Sequence, residues 1–355
     1  MRTIDWISQD QLGAWDDFVA RHPLGRVYHL SSWQRVLETS FRHIRGRILA
    51  LRDDNGHIQA GLPVYHVRSW LLHNRTVSVP FATICDPLVP TQQDFALLWN
   101  AIEDAARQQK SKRIEIRTWR ANIDCLPSQL TASAKYKHHY LPLDKGTDAL
   151  FHSFHGSCIR RRVNKAIRTG IVIEKRQDQE SLRTLHAILV ATRRRLSLPP
   201  MPLAFFEAMH SCLAPEHAVI YLAVHEGQPV GGILVLKFKD LWTLEYSGHA
   251  DNAPAGTDQL LHWHAIQRAK SHGAAYFSFG RTSLNNIGLL EYKRRWATVE
   301  EDLTDFVWHA DSTQAQVHSH STTVPGSIYA AVRLLRYTPA AFQRSFGDFC
   351  YRHLG

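Results

Sequence analysis

Lys293 lies in Gly288-Leu289-Leu290-Glu291-Tyr292-Lys293-Arg294-Arg295-Trp296, just after a glycine-bearing turn. A compact ammonium there is suited to neutralise an oxyanion or a phosphate. Arg281 directly follows Gly280 at the end of an apolar run, where its planar fork can clamp a carboxylate or phosphate through two hydrogen bonds. Tyr246 offers a hydroxyl donor, and Glu245 and Asp86 are candidate proton acceptors. Cys85, in a Cys-Asp-Pro turn, would present a nucleophile, but no histidine can be paired with it from sequence, so packing is the better expectation. The 22 histidines invite a metal site. None stands in a His-Glu-x-x-His helix, and His262 and His264 are two apart, on different helix faces, so no metal is expected.

The elements that must position these groups can be read from residue 220 onward. Residues 220–224 and 230–238 are apolar strands joined at Glu226-Gly227-Gln228-Pro229, and a third strand ends in Tyr246-Ser247-Gly248. The loop 251–256 leads to Thr257, a good N-cap for a helix carrying Leu260, Leu261, Trp263, Ile266 and Ala269, which stops at Gly273. A short strand, 275–279, then runs into Gly280-Arg281-Thr282.

Hairpin, strand, loop, helix, strand is the order that an acyltransferase of the GNAT superfamily shows, and the motifs resemble those of its FemA/FemB-related group (BioF2-like acetyltransferase domains). In that group the last strand ends in Asp-Phe-Gly-Arg and is followed by Gly-Leu, a Phe-Lys pair and Trp-Gly. This chain has Ser278-Phe279-Gly280-Arg281, Gly288-Leu289, Tyr292-Lys293 and Trp296-Ala297, departing at Ser278 and Ala297. Thr192-Arg193-Arg194-Arg195 with Leu198-Pro199-Pro200 and Phe205-Phe206, and Pro80-Phe81 with Cys85-Asp86-Pro87-Leu88, are similar to the same group. The resemblance implies two tandem GNAT-like α/β domains with mixed central sheets and a C-terminal helical tail. It also implies that residues 193–206 face an acceptor site, making Arg193, Arg194 and Phe205 substrate candidates, alongside Arg281, Phe81 and Trp296. Gly256 and Thr257 would stand where a GNAT helix start binds the pyrophosphate of coenzyme A. The usual Arg/Gln-x-x-Gly-x-Gly/Ala loop is absent, as it is in FemA/FemB-like enzymes, which use aminoacyl-tRNA. The co-substrate is therefore expected to be acyl-CoA or aminoacyl-tRNA, with no tightly bound cofactor.

Residues 1–145 repeat the pattern. Helices are expected at 11–21 and 31–40, strands at 47–52 and 57–68 around the Asn55-Gly56 hairpin signal, a strand at 75–79, a helix at 93–110 and a strand at 113–118. Pro142–Thr147 is the expected boundary to the second domain, 146–310. Its opening helical stretch, 148–170, puts Arg161, Lys165 and Arg168 on one side. Residues 311–325 read as a polar linker and 328–354 as a basic amphipathic helical tail, which either lies on an anionic membrane or packs back on the first domain.

With 355 residues the chain can bury two cores, and 44% hydrophobic with 21% charged residues excludes disorder. Five scattered cysteines, no signal-like start and no run long enough to span a bilayer point to the cytoplasm, with peripheral contact to the inner membrane as an option. A net charge of +10 suits an anionic partner. The sequence thus reads as a transferase moving an acyl or aminoacyl group onto an amino-sugar or peptide moiety of a lipid-linked or otherwise anionic cell-envelope or exopolysaccharide precursor. The alternative is a non-catalytic GNAT-like module that holds RNA, tRNA included, or anionic lipid on its basic helix.

Overall fold

A computed structural model describes residues 2–121, 123, 130–310 and 340–353. The described residues fall into two compact units, one of residues 2–135, 303–310 and 345–353 and the other of residues 136–302 and 340–344.

The first unit runs β1 (Thr3–Trp6), α1 (Leu12–Arg21), α2 (Ser31–Ser40), β2 (Ile44–Arg52), β3 (Ile58–Val67), β4 (Arg75–Val77), α3 (Gln92–Gln108) and β5 (Arg113–Thr118). Neighbouring strands are antiparallel except β4 and β5, which are parallel and joined by α3. The second unit repeats this order. After α4 (Thr147–Ser153), a π-helical turn (Gly156–Arg160) and α5 (Arg161–Arg168) come β7 (Val172–Arg176), α6 (Gln179–Arg195), α7 (Leu203–Leu213), β8 (Ala218–His225), β9 (Gln228–Phe238) and β10 (Leu241–His249). Then follow α8 (Thr257–Ser271), β11 (Tyr276–Ser283) and α9 (Ile287–Arg294). Here too the strands are antiparallel up to β10, which pairs parallel with β11 across α8.

The last strand of each sheet comes from the segment that follows the other repeat. β6 (Thr131–Pro142) follows β5 in sequence but pairs antiparallel with β11, and β12 (Val299–His309) follows α9 but pairs antiparallel with β5. Sequence reading did not resolve β1, β6, β7 or β12. β7 is five residues long and mostly exposed, so it shows no apolar alternation, and the long β6 is half-exposed along its first part.

Three local expectations change. The stretch from Gly288 is helical, as α9. The basic stretch 148–170 is not one helix: α4 ends at Ser153, and the chain turns at His155 before the π-turn leads into α5. The cap of α8 is Gly256 at φ +101, not the Thr257 side chain, whose hydroxyl donates to Pro254 O at 2.7 Å. A glycine is required there because a Cβ would lie 2.2 Å from the carbonyl oxygen of Arg162.

The core of the second unit gathers Leu260, Leu261 and Ile266 of α8, Phe277 and Phe279 of β11, Val163 and Ala166 of α5, and Trp296. α8 buries residues around most of its circumference because it is covered on one side by the sheet and on another by α5. The expected linker 311–325 and the first part of the tail lie outside the described residues. The C-terminal helix α10 (Ala340–Tyr351) is described, and its end packs on the first unit: the Tyr351 ring meets Phe81 at 5.6 Å and Arg75 Nη2 donates to His353 O at 2.9 Å. Among the described residues no helix is long and apolar enough to cross a membrane.

Candidate active site

β10 and β11 pair over only three positions, Leu241 with Tyr276, Trp242 with Phe277 and Thr243 with Ser278. Past Thr243 the strands part, because both carry irregularities. β10 bulges between Leu244 and Tyr246, so Glu245 has no opposite residue on β9. β11 shifts register against β6 between Ser278 and Arg281, with Gly280 at φ +71. A bulge increases local twist and leaves ladder groups unpaired, so the two parallel strands part beside Glu245.

A cavity of about 210 Å³ adjoins this bulge. Glu245, Tyr246 and Ser247 of β10 form one wall, and His186, Leu189 and Arg193 of α6 with Met201 and Phe206 form the other. α6 reaches β10 closely because Gly248 has no side chain; a Cβ there would lie 2.7 Å from Thr192 Oγ1. Phe206 packs edge-on against Tyr246 with ring centroids 4.9 Å apart, and His186 bonds Met201 O at 2.9 Å, so the walls are held in place. Arg193 Nε donates to Pro199 O at 2.8 Å, and Arg193 lines the cavity. Arg194 is exposed and does not line the cavity, and Phe205 is fully buried in α7.

On the opposite face of β10, Ser247 Oγ lies 2.9 Å from His262 Nε2, and His262 Nδ1 lies 3.2 Å from the Tyr292 hydroxyl. Burial lowers the His262 pKa to about 4, so the imidazole is neutral at pH 7, and burial also raises that of the Tyr292 hydroxyl. The chain of bonds links β10 through α8 to α9. None of these three residues stood out from sequence as a set, since they are separated by 15 and 30 positions.

The loop before α8 carries Asp251, an acidic residue where an anion would bind. Arg195 ion-pairs with it and also donates to His249 O at 2.6 Å, so this arginine of α6 neutralises the loop's acidic residue. Asp258 in the first turn of α8 pairs with His249 at 2.7 Å. Burial alone would raise its carboxyl, but the His249 hydrogen bond and the charges of His262, His249 and Arg195 hold it below its ordinary value. The Thr257 N–H already bonds Pro254 O at 3.2 Å, and Thr257 is buried. Arg161, Arg162, Lys165 and Arg168 are exposed on α5, whose Arg162 backbone touches Gly256.

Lys293 is 6% exposed, and its Nζ donates to Gly280 O at 3.0 Å and Arg281 O at 3.2 Å. Burial lowers its pKa to about 7, and no carboxylate lies within ion-pair distance among the described residues. The ammonium therefore fastens α9 to the β11 bulge and does not line the cavity. Ser278, at the position of the family aspartate, bonds His138 Nε2 at 2.8 Å and accepts from Gly280 N at 3.0 Å, so it too shapes the bulge. Arg281 lies with its guanidinium 3.5 Å over the Tyr136 ring. Trp296 is wholly buried among Phe154, Phe279 and His262, a packing position. Ala297 adopts φ +54, the left-handed conformation that explains why glycine stands there in the resembling motif.

Asp86 and Phe81 belong to the first unit. The Asp86 carboxylate is buried and accepts from the N–H groups of Trp119, Arg120 and Ala121 at 2.8, 2.9 and 2.8 Å, so it holds a loop in place. Phe81, at φ +58, packs on Phe41 at 4.7 Å. Cys85 beside them is fully buried, and burial raises its thiol pKa, the opposite of what a nucleophile needs. Among the described residues no group of three or more histidine, cysteine, aspartate or glutamate side chains is arranged to hold a metal ion.

Residues 156–294 match the family model described as an acetyltransferase (GNAT) domain. These residues are similar to a GNAT domain. The crystal structure of FemX is similar over 90% of this chain and 100% of its own, with a TM-score of 0.73 at 15% identity. A tandem GNAT protein from the clavulanic acid biosynthesis pathway is similar over 88% of this chain and 99% of its own, with a TM-score of 0.55 at 11% identity. L-PGS from Bacillus licheniformis is similar over 94% of this chain and 99% of its own, with a TM-score of 0.56 at 14% identity. No curated protein matches the chain in sequence. At such identities the likeness is one of fold, and the fold is two tandem GNAT-like α/β units with mixed sheets and a C-terminal helix. The parted β10 and β11 are the parallel pair of the second GNAT-like unit.

Proposed function

We propose that this protein transfers an acyl or aminoacyl group to an amine of an amino-sugar or peptide moiety in a cell-envelope or exopolysaccharide precursor. The observation that carries the reading is the Glu245 bulge, which lies at once beside the opening between β10 and β11 and in the wall of a cavity of about 210 Å³. The acceptor enters that cavity, and Glu245 takes the proton from its amine as the nitrogen bonds to the acyl carbon; the tetrahedral intermediate then collapses with cleavage of the bond from the acyl carbon to the coenzyme A sulfur or the tRNA ribose oxygen, and the departing thiolate or alkoxide takes up the proton that Glu245 holds. Backbone N–H groups of β10 beyond Thr243 receive the negative charge that develops on the acyl oxygen. Tyr246 donates a hydrogen bond to the reacting group, and Arg193 binds an anionic part of the acceptor. Lys293 and Ser278 keep the β11 bulge in place.

The donor is acyl-CoA or aminoacyl-tRNA, carried on phosphates that meet the loop before Gly256 and the basic face of α5. The tandem GNAT fold fits either donor, and fold likeness to FemX and L-PGS supports a cell-envelope setting. Purified protein incubated with labelled acetyl-CoA, and separately with charged tRNA, should label an amino-sugar or lipid-linked peptide acceptor from one of the two. Glu245→Gln should lower that turnover roughly 10²–10⁴-fold, the usual contribution of a general base, with unchanged melting. No transfer from either donor overturns the reading and leaves the non-catalytic one, in which Arg161, Lys165 and Arg168 hold RNA or anionic lipid.

A further inference from the structure

The first unit carries an apolar cluster at its surface that the proposed reaction does not use. Trp70 is 78% exposed and Leu71 39% exposed in the turn between β3 and β4, and Phe349 of α10 is 44% exposed. One buried side chain joins the two aromatic rings: the His353 ring meets Trp70 and Phe349, each with centroids 5.1 Å apart. His353 is itself held by Ser69 Oγ at 3.1 Å and, through its carbonyl, by Arg75 at 2.9 Å. The cluster is thus presented on a fixed seat, and little conformational freedom is lost when it binds. Exposed Arg68 and Arg352 flank it in sequence on the two segments, with exposed His73 close by and Asp348 the acidic neighbour on α10.

We infer that Trp70, Leu71 and Phe349, flanked by Arg68 and Arg352, form an interfacial docking site for an anionic lipid bilayer. Indole and phenyl rings suit the boundary between headgroups and acyl chains, while arginine stems lie along that boundary with their charges at the lipid phosphates. The chain's net charge of +10 adds long-range attraction to such a surface. A second protein copy fits less well. An aromatic side chain offers at most roughly 150–250 Å², so three partly exposed apolar side chains fall well short of the ~800 Å² that a stable interface takes from each partner.

The test is sedimentation of the full chain with sucrose-loaded vesicles of phosphatidylcholine alone or mixed with phosphatidylglycerol. The protein should bind the mixed vesicles, more weakly as salt rises, and hardly bind phosphatidylcholine. Trp70→Ser with Phe349→Ser should reduce binding at least about tenfold, and Arg68→Gln with Arg352→Gln should flatten the salt dependence. The arginine variants should melt within about a degree of the parent, since surface changes away from special features cost little, and the serine variant is assayed well below its own melting temperature so that lost binding reports the surface and not unfolding. Brominated acyl chains should quench tryptophan fluorescence in the parent and quench it less in Trp70→Phe. Binding that the serine variant retains in full, no binding of the parent to mixed vesicles, or loss of self-association in place of vesicle binding would each overturn the assignment.

Discussion

At the scale of single residues, the most informative side chain is Lys293, because burial rather than a partner charge sets its behaviour. Its folded pKa of about 7 lies below the ordinary 10.5, so between those values the unfolded chain binds the extra proton. Stability contributed at this site is therefore lowest below pH 7 and rises as pH increases toward 10.5. The full span corresponds to a few kcal/mol, to order of magnitude. Denaturant midpoints of the parent should rise relative to those of Lys293→Met between pH 6.5 and 9.5. Parallel pH profiles for the two proteins would show that the amine titrates normally. Ala297 gives a second test. Its left-handed backbone costs about 1–2 kcal/mol, and the extra freedom of an unfolded glycine returns part of that, so Ala297→Gly should stabilise by about 0.5–1 kcal/mol. A destabilised variant would mean that its methyl packs usefully.

Elements meet tightly where α5 crosses the start of α8. Gly256 sits at φ +101 against the Arg162 carbonyl, so an added methyl suffers both backbone strain and a contact of 2.2 Å. Gly256→Ala should destabilise the protein by at least about 2–4 kcal/mol, read from its denaturant midpoint. An unchanged midpoint would mean that α5 can move aside. The same crossing sets the basic face of α5 beside the loop that precedes α8, which is why one substitution there tests packing and the proposed donor site together. Comparing donor KM with kcat in a variant that still folds, Arg162→Gln, separates the two: the side chain is exposed, and its removal leaves the backbone contact in place.

Over the whole molecule, the sequence by itself determined the order of elements and their type. Helices 31–40 and 93–110, strands 47–52 and 113–118, and the β10-loop-α8-β11 run were legible because periodicity, glycine stops and turn residues are local signals. The structure has them at Ser31–Ser40, Gln92–Gln108, Ile44–Arg52 and Arg113–Thr118. The motif around Gly280 and Trp296 likewise carried the fold class. Tertiary structure decided everything that depends on strands and side chains far apart in the chain. β6 and β12 exchange places between the two repeats because edge pairing is chosen by the surfaces available after folding, and a half-exposed strand shows no alternation to read. Glu245, Tyr246 and Arg193 share a cavity wall, while Asp86 and Phe81 are engaged within the first unit, and no spacing in the sequence encodes that division. Ser247, His262 and Tyr292 form a hydrogen-bonded chain only because a strand and two helices converge. Burial, finally, made Lys293 a neutralisable fastener rather than a surface charge: a charge's cost depends on the solvent excluded around it, and only packing sets that.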